Sequence, residues 1–212
     1  MRERFNTQLD TLYKELVRMG TLCEKAISLS ICALNEKDEN IIKEVFEADS
    51  EIDRLERDIE TLCMKLILHQ QPVATDLRKI SSALKMISDM ERIGDQAWDI
   101  AEISKHINES TQNENIRKMA KDVIKMVSEC VEAFVNSDLK SARRVMEYDD
   151  VVDNWFDKIK RELTKVISEN SVTGEYCIDL LMIAKYLERI ADHATNIAEW
   201  VEYAVTGSHP KG

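Results

Sequence analysis

The side chains best suited to chemistry in this sequence are carboxylates that recur four residues apart in both halves of the chain. The full set, which we treat as candidate metal ligands, is Asp49, Asp53, Glu91, Asp95, Asp99, Asp149, Asp153, Glu188, Asp192 and Asn196. Asn196 stands in the second copy where Asp99 stands in the first. Residues four apart share one helix face, and like charges there destabilise a helix by about 0.2–0.5 kcal/mol per pair. A hard cation takes carboxylate oxygens as ligands and would remove this repulsion.

These acids have two interpretations. If the aspartate pair of one helix faces the acidic pair of a neighbouring helix, the carboxylates would form an all-oxygen site able to bridge more than one metal ion. On the other interpretation the acids form a solvated face, where Arg92 and Arg189 pair with them. The solvated face is the more common case for acids on one helix, and the repetition of the motif in both halves brings the two interpretations close to equal, because the repulsion is then repeated as well.

Other kinds of chemistry find little support. None of the four histidines follows an acidic residue by three positions, as the Glu-x-x-His motif of helical di-iron enzymes requires. With five glycines the sequence has no Gly-rich phosphate loop. The net charge of −11 repels phosphate backbones, so we expect no nucleic-acid partner.

Apolar residues spaced by three and four positions predict long amphipathic helices. In the first half the apolar stripes cover residues 4–34, 41–66 and about 75–101. Asp38 is a predicted N-cap, and Pro72 ends the second helix because proline cannot continue it. In the second half we predict helices that end near residues 135, 168 and 205, with Asp138 as the matching cap.

The sequence contains an internal repeat. Residues 91–102 and 188–199 are identical at eight of twelve positions, and Asp38, Asp49 and Asp53 recur 100 positions later. We therefore predict an all-α fold of two tandem three-helix up-down-up bundles, with six long helices in a pseudo-twofold repeat. The predicted units are residues 1–107 and 116–206, with a polar linker at 108–115 and a frayed tail at 207–212.

The cysteines and the apolar runs indicate the compartment. Five scattered cysteines without a Cys-x-x-Cys motif indicate free thiols in a reducing environment. The N-terminal residues contain no apolar run, and no stretch approaches the roughly 18 apolar residues that span a bilayer. We expect a cytoplasmic protein that does not insert into membranes.

The paired acidic motifs resemble those of the PhoU family of phosphate-signalling proteins. The resemblance rests on Asp49-x-x-x-Asp53 with Glu91-Arg-Ile-Gly-Asp95, on their second copies, and on the segment KYLERIADHATNIAEWVEY at 185–203. It extends from about residue 4 to residue 205.

The resemblance implies a function as well as a fold. Members of this family are cytoplasmic negative regulators of phosphate uptake and of the phosphate-starvation response, and they are not enzymes. Their partners are a sensor histidine kinase and the ATPase subunit of the phosphate ABC transporter, and many form homodimers. Some members bind multinuclear iron or zinc through the carboxylates, which assigns the same role to the acids above.

Two alternatives remain open at this point. The chain could be a structural or adaptor helical repeat protein without metal, although the polar segment at 108–115 breaks the helix continuity that such repeats have. Less support exists for a carboxylate-bridged di-metal enzyme, because the Glu-x-x-His motif is missing.

Overall fold

The structure is a computed structural model that describes residues 2–70, 72–107, 113–169 and 174–208. These residues form six long α-helices and no strand. In chain order the helices are α1 (Arg2–Glu36), α2 (Glu39–Gln70), α3 (Ala74–Ser104), α4 (Glu114–Asn136), α5 (Leu139–Ser168) and α6 (Gly174–Thr206). The prediction of six helices in two up-down-up bundles is confirmed.

Helix α4 begins earlier than the sequence prediction placed it. Asn113 is its N-cap, and its side-chain oxygen accepts hydrogen bonds from the backbone N–H groups of Asn115 and Ile116. The last two residues of the predicted 108–115 linker are therefore helical, while residues 108–112 lie outside the described residues. The tail prediction falls mostly outside them too, since the description ends at residue 208. The division into two units stays a prediction.

The first reversal of each bundle is built in the same way. Lys37 and Ser137, which occupy equivalent positions, both adopt left-handed backbone conformations, with φ of 54° and 52°. Such a residue commonly ends a helix and turns the chain away from its axis. The next residue caps the following helix: the Asp38 carboxylate accepts from the N–H of Asn40, and Asp138 accepts from Lys140. Both predicted caps are confirmed.

The two bundles contact each other through α1 with α4 and through α3 with α6. Asp89 of α3 contacts His193 of α6, while Asp99, ten residues later in α3, lies beside the earlier α6 residue Tyr186, so these two helices are antiparallel. Gly20 of α1 lies so close to α4 that a Cβ atom there would stand 3.2 Å from a methyl group of Val131. A single cluster of buried apolar side chains includes residues of all six helices. The core therefore runs through both bundles without a break.

Two further predictions can be compared with the structure. All five cysteines are free, and four of them are buried. None of the described helices combines the length and the apolar character that crossing a bilayer needs.

Candidate functional site

The acids of the first bundle meet along the α2–α3 contact. We call Asp49, Asp53, Glu91, Asp95 and Asp99 the first acidic face. Asp49 is half-buried, and its pKa is raised to about 6 by burial first and then by the negative charges of the other four members. Asp49 thus lies close enough to the other four carboxylates to be affected by the charge of each. In this bundle the aspartate pair of α2 therefore lies beside the acids of α3, as the sequence predicts for adjacent helices.

Asp49 occupies the tightest point of this face. Gly94 of α3 lies directly opposite, and a Cβ atom there would stand 2.9 Å from Asp49 Oδ1. That oxygen is buried and has no hydrogen-bond partner. An unpaired buried carboxylate oxygen is costly, so Asp49 presents an unsatisfied acceptor at the contact between α2 and α3.

Positive and polar groups compensate the first face only in part. The Arg92 guanidinium donates to Asp95 Oδ2 at 2.7 Å and lies 3.4 Å from Glu91. Burial and the charge of Asp95 still raise the pKa of Glu91, although Arg92 lowers it. The pKa of Asp99 is raised by burial and by Asp95. The face therefore retains excess negative charge, which favours a cation.

A second acidic face, formed by Asp149, Asp153, Glu188 and Asp192, lies along the α5–α6 contact. Burial, followed by the charges of Asp153 and Asp192, raises the pKa of Asp149 to about 6, while the nearby Thr195 hydroxyl opposes this shift. Glu188 forms an ion pair with Lys185 one turn earlier. Asp153 and Asp192 are exposed. This face repeats the first one but is more open, and Lys185 is its paired basic residue as Arg92 is in the first face.

The predicted ligand Asn196 forms a hydrogen bond with α3 and not with the acids of the second face. Its side-chain amide instead donates to Asp89 Oδ1 of α3 at 3.2 Å, and His193 Nδ1 lies 2.9 Å from the same oxygen. In the equivalent place of the first bundle, Asp99 forms a hydrogen bond with Tyr186 of α6. Both positions therefore take part in the contact between α3 and α6.

Sequence reasoning did not identify Asp89 as a member of this contact. Asp89 and His193 are 104 residues apart, and only the antiparallel packing of α3 on α6 brings them together. No local spacing in the sequence carries that information.

The chemistry available at the two faces is that of oxygen ligands. Each face offers several carboxylates, the donor type that hard cations accept. Among the described residues, no three acidic, histidine or cysteine side chains already stand in a ligand arrangement. The donor set thus fits a cation in chemical type, and the side chains would have to rotate toward it.

The chain is similar to known proteins over nearly its whole length. A family model described as the PhoU domain matches residues 16–104 and again residues 116–201. A Clostridium acetobutylicum protein named phosphate-specific transport system accessory protein PhoU homolog is 36% identical, with 97% of this chain and 96% of that protein covered. A Pseudomonas aeruginosa protein of the same name is 34% identical, over 97% of this chain and 87% of the relative.

Solved structures show the same arrangement of helices. The crystal structure of PhoU from Pseudomonas aeruginosa superposes with a TM-score of 0.89 at 35% identity, over 96% of this chain and 100% of the other. The phosphate transport system regulatory protein PhoU from Streptococcus pneumoniae gives 0.90 at 25% identity, over 98% and 99%.

Proposed function

This chain belongs to the PhoU family, and from that premise we propose that it regulates phosphate transport. The observation that carries the proposal is the doubled family match, with one copy on each bundle. Relatives matched over nearly the whole chain are named accessory proteins of the phosphate-specific transport system. We propose a binding protein rather than an enzyme, since the relatives are named accessory proteins and one of the solved structures is named a regulatory protein.

In finer detail, the proposed protein is a cytoplasmic negative regulator of phosphate uptake and of the phosphate-starvation response. It would act by binding a sensor histidine kinase, the ATPase subunit of the phosphate ABC transporter, or both, and it would form a homodimer. A binding protein shifts its partner between states only to the extent that it binds one state more tightly. Regulation would therefore follow from unequal affinity for two states of the transporter or kinase.

The two acidic faces are proposed as iron or zinc sites that hold adjacent helices in a fixed relation. Support comes from the buried, unpaired oxygen of Asp49 and from the raised pKa of Asp49 and Asp149. A bound cation would supply positive charge between carboxylates that otherwise repel. Asp49, Asp53, Glu91, Asp95 and Asp99 would hold it in the first bundle, and the four acids of the second face in the other.

A deletion strain tests the regulatory function. The chain is expressed in a PhoU-deficient bacterium, and phosphate uptake and a phosphate-starvation reporter are measured in phosphate-rich medium. Restored repression of both readouts is expected, together with co-purification of the transporter ATPase or the kinase. A well-expressed, folded chain that restores neither readout would count against the proposal. If repression is restored but neither the ATPase nor the kinase co-purifies, the alternative of a structural or adaptor repeat protein is retained.

Elemental analysis tests the metal sites. The chain is purified without chelator or metal-affinity resin, and its metal content is measured by ICP-MS beside that of the Asp95→Ala/Asp192→Ala variant. Iron or zinc at stoichiometric level is expected in the native chain and should be lost in the variant. The matched control is Glu44→Ala/Asp58→Ala, which removes two exposed acids of α2 outside the face. Metal-free native protein that gains no stability from added iron or zinc would refute the metal sites.

A further inference from the structure

An aromatic pocket opens on the first bundle, between the beginning of α2 and the end of α3. We define this aromatic pocket by the residues that line it: Glu39, Ile42, Lys43, Phe46, Trp98 and Lys105. Its volume is about 510 Å³. Phe46 is 51% exposed and lies beside the Trp98 ring, so the exposed apolar surface is a patch of two rings and not one isolated side chain.

The two rings form one apolar surface with positive charge at its edge. The ring centroids of Phe46 and Trp98 are 5.3 Å apart, with 59° between the ring planes. The Lys105 ammonium lies 5.1 Å from the centroid of the Trp98 ring. Lys43 stands on the α2 side, so two lysines and one glutamate line the pocket. Two ammonium groups thus flank the rings on a chain whose net charge is −11, and each of them is paired with a glutamate of the same bundle.

The lysines are held only by weak contacts within their own helices. Lys43 pairs with Glu47 at 3.8 Å, and the two side chains are 75% and 62% exposed. Lys105 pairs with Glu102 one turn earlier, and both of these side chains are also well exposed. Exposed pairs of this kind contribute at most about 1 kcal/mol. Both ammonium groups can therefore exchange these partners for carboxylates of another molecule at little cost.

The equivalent place in the second bundle shows what the first one lacks. The repeat puts Arg143 at the position of Lys43 and Glu202 at the position of Lys105. Arg143 donates to Glu202 at 2.6 Å, which ties α5 to α6 directly. In the first bundle the same two positions hold like charges, so no such tie can form. The scaffold thus tolerates an internal ion pair here, and the first bundle carries two cations instead.

The aromatic side chains differ between the bundles in the same way. Met146 stands in place of Phe46, and Thr195 stands in place of Trp98. The described pocket beside α5 is lined by Leu139, Lys140, Arg143, Arg144 and Glu147, all from one helix and none aromatic. At this place of the repeat, paired aromatic rings with lysines at their edge are therefore found in the first bundle and not in the second.

We propose that the aromatic pocket docks a segment of a partner protein that inserts an aromatic or branched aliphatic side chain beside Phe46 and Trp98. Carboxylates that flank this anchor pair with Lys43 and Lys105. Exposed aromatic side chains are the usual energetic centres of protein interfaces. Charge complementarity selects an acidic segment and also orients it, because the rest of this acidic surface repels such a segment. The inference rests on the proposed function, in which the chain acts by binding partners.

Peptide selection against the whole chain tests this proposal. A phage-displayed library of random peptides is panned on the folded protein, and the enriched sequences are synthesised with a fluorescein label. Fluorescence anisotropy then gives the Kd at low and at high salt. We expect enriched peptides to share an aromatic or aliphatic residue flanked by Asp or Glu, with binding that weakens as salt screens the charges.

Variants that carry the residues of the second bundle make the test specific. Phe46→Met/Trp98→Thr is expected to raise the Kd about tenfold or more, as the loss of a central aromatic anchor does. Lys105→Glu, an exposed change that leaves the rings in place, should also weaken binding and reduce its salt dependence. Met146→Ala is the matched control at the equivalent site and should leave the Kd unchanged. Circular dichroism confirms that each variant is folded.

The outcomes separate this inference from the proposed function. No enrichment, enrichment of basic peptides, or a Kd unaffected by Phe46→Met/Trp98→Thr overturns the docking pocket, even if phosphate regulation is restored in the deletion strain. Pocket-dependent binding of acidic peptides supports it even if that strain is not rescued, in which case the proposed function fails alone.

Discussion

At the scale of single residues, Asp49 and Asp149 are the side chains whose environment departs furthest from that of an ordinary surface acid. Each is half-buried beside other carboxylates, and each has its pKa raised from 3.8 to about 6. The folded protein therefore binds a proton at these sites more tightly than the unfolded chain does. This property belongs to the cation-free protein and has a measurable thermodynamic consequence.

The first prediction concerns stability against pH. Because the folded-state pKa is raised, the stabilisation from protonating Asp49 and Asp149 is complete below about pH 4 and is lost as the pH rises through about 6. In the presence of EDTA, Asp49→Asn/Asp149→Asn should unfold with a free energy about 1 kcal/mol per site above the native value at pH 7.5. This figure is reduced from the full shift because both groups are half exposed. Urea titrations at pH 5 and 7.5, followed by circular dichroism, measure the difference.

The control for that prediction is Glu44→Gln, an exposed acid of the same helix. It should leave both the stability and its pH dependence unchanged. A double variant whose stability follows the native pH profile would mean that the two aspartates are not strained by burial and repulsion.

At the scale of helices, the acidic faces depend on how closely neighbouring helices approach. In the first bundle Gly94 lets α3 come against Asp49 of α2, while in the second bundle Ala191 stands at the equivalent position. A methyl group at residue 94 would lie 2.9 Å from Asp49 Oδ1 and 3.1 Å from Ile52 Cδ1. Both atoms are side-chain ends that can rotate, so the backbone need not move.

The second prediction follows from that contact. Gly94→Ala should change the free energy of unfolding by no more than about 1 kcal/mol, because the gain in helix propensity offsets the crowding. It should displace the Asp49 carboxylate, which would weaken the metal binding proposed for the first face and alter the pH profile described above. ICP-MS and urea unfolding measure the two effects.

The reverse change at the equivalent site supplies the comparison. Ala191→Gly removes a fully buried methyl group and introduces glycine into a helix, so it should destabilise the chain by about 1–2 kcal/mol. A Gly94→Ala variant that loses more stability than Ala191→Gly would show that α2 and α3 are locked more rigidly than this contact implies.

The sequence allowed the helices to be predicted well, because each depends on local periodicity. Helix ends at residues 36, 70, 136, 168 and 206 lie within about four residues of the predicted positions. The start of α4 was missed by two residues, although the Asn113 cap is of a type that a sequence can reveal.

The acidic faces were predictable for a similar reason, since residues four apart share a helix face. The orientation of Asn196 toward Asp89 was not predictable, because it depends on how α3 packs against α6. The aromatic pocket depends likewise on which side chains α2 and α3 bring together: Lys43 and Lys105 carry like charges and cannot form the ion pair that Arg143 and Glu202 form in the second bundle. Contacts between distant helices leave no spacing signal along the chain.

At the scale of the whole molecule, the two bundles share one buried core. The cluster of apolar side chains includes residues of all six helices, and α1 contacts α4 as α3 contacts α6. A core without a division between the repeats couples their stabilities, because neither bundle can lose its structure without exposing the surface that it buries in the other.

The third prediction is that both bundles unfold in a single transition. Variants that keep only Trp98 or only Trp155 report on the first and second bundle, and their fluorescence should give the same urea midpoint. Val131→Ala removes methyl groups that pack against Gly20 across the α1–α4 contact, and should cost about 2 kcal/mol. It should lower both midpoints equally. Two separate midpoints, or a shift confined to the Trp155 reporter, would indicate independent domains.

The two acidic faces differ in charge and exposure, and this difference would affect how the protein responds to the concentration of a cation. The first face has five acids, two of them shielded by Arg92, whereas the second has four, with Lys185 on Glu188 and with Asp153 and Asp192 exposed. Any cation that binds both would fill the first at a lower concentration than the second. Occupancy would then rise in two stages, so that one chain would give a graded signal over a wider concentration range than two identical sites could.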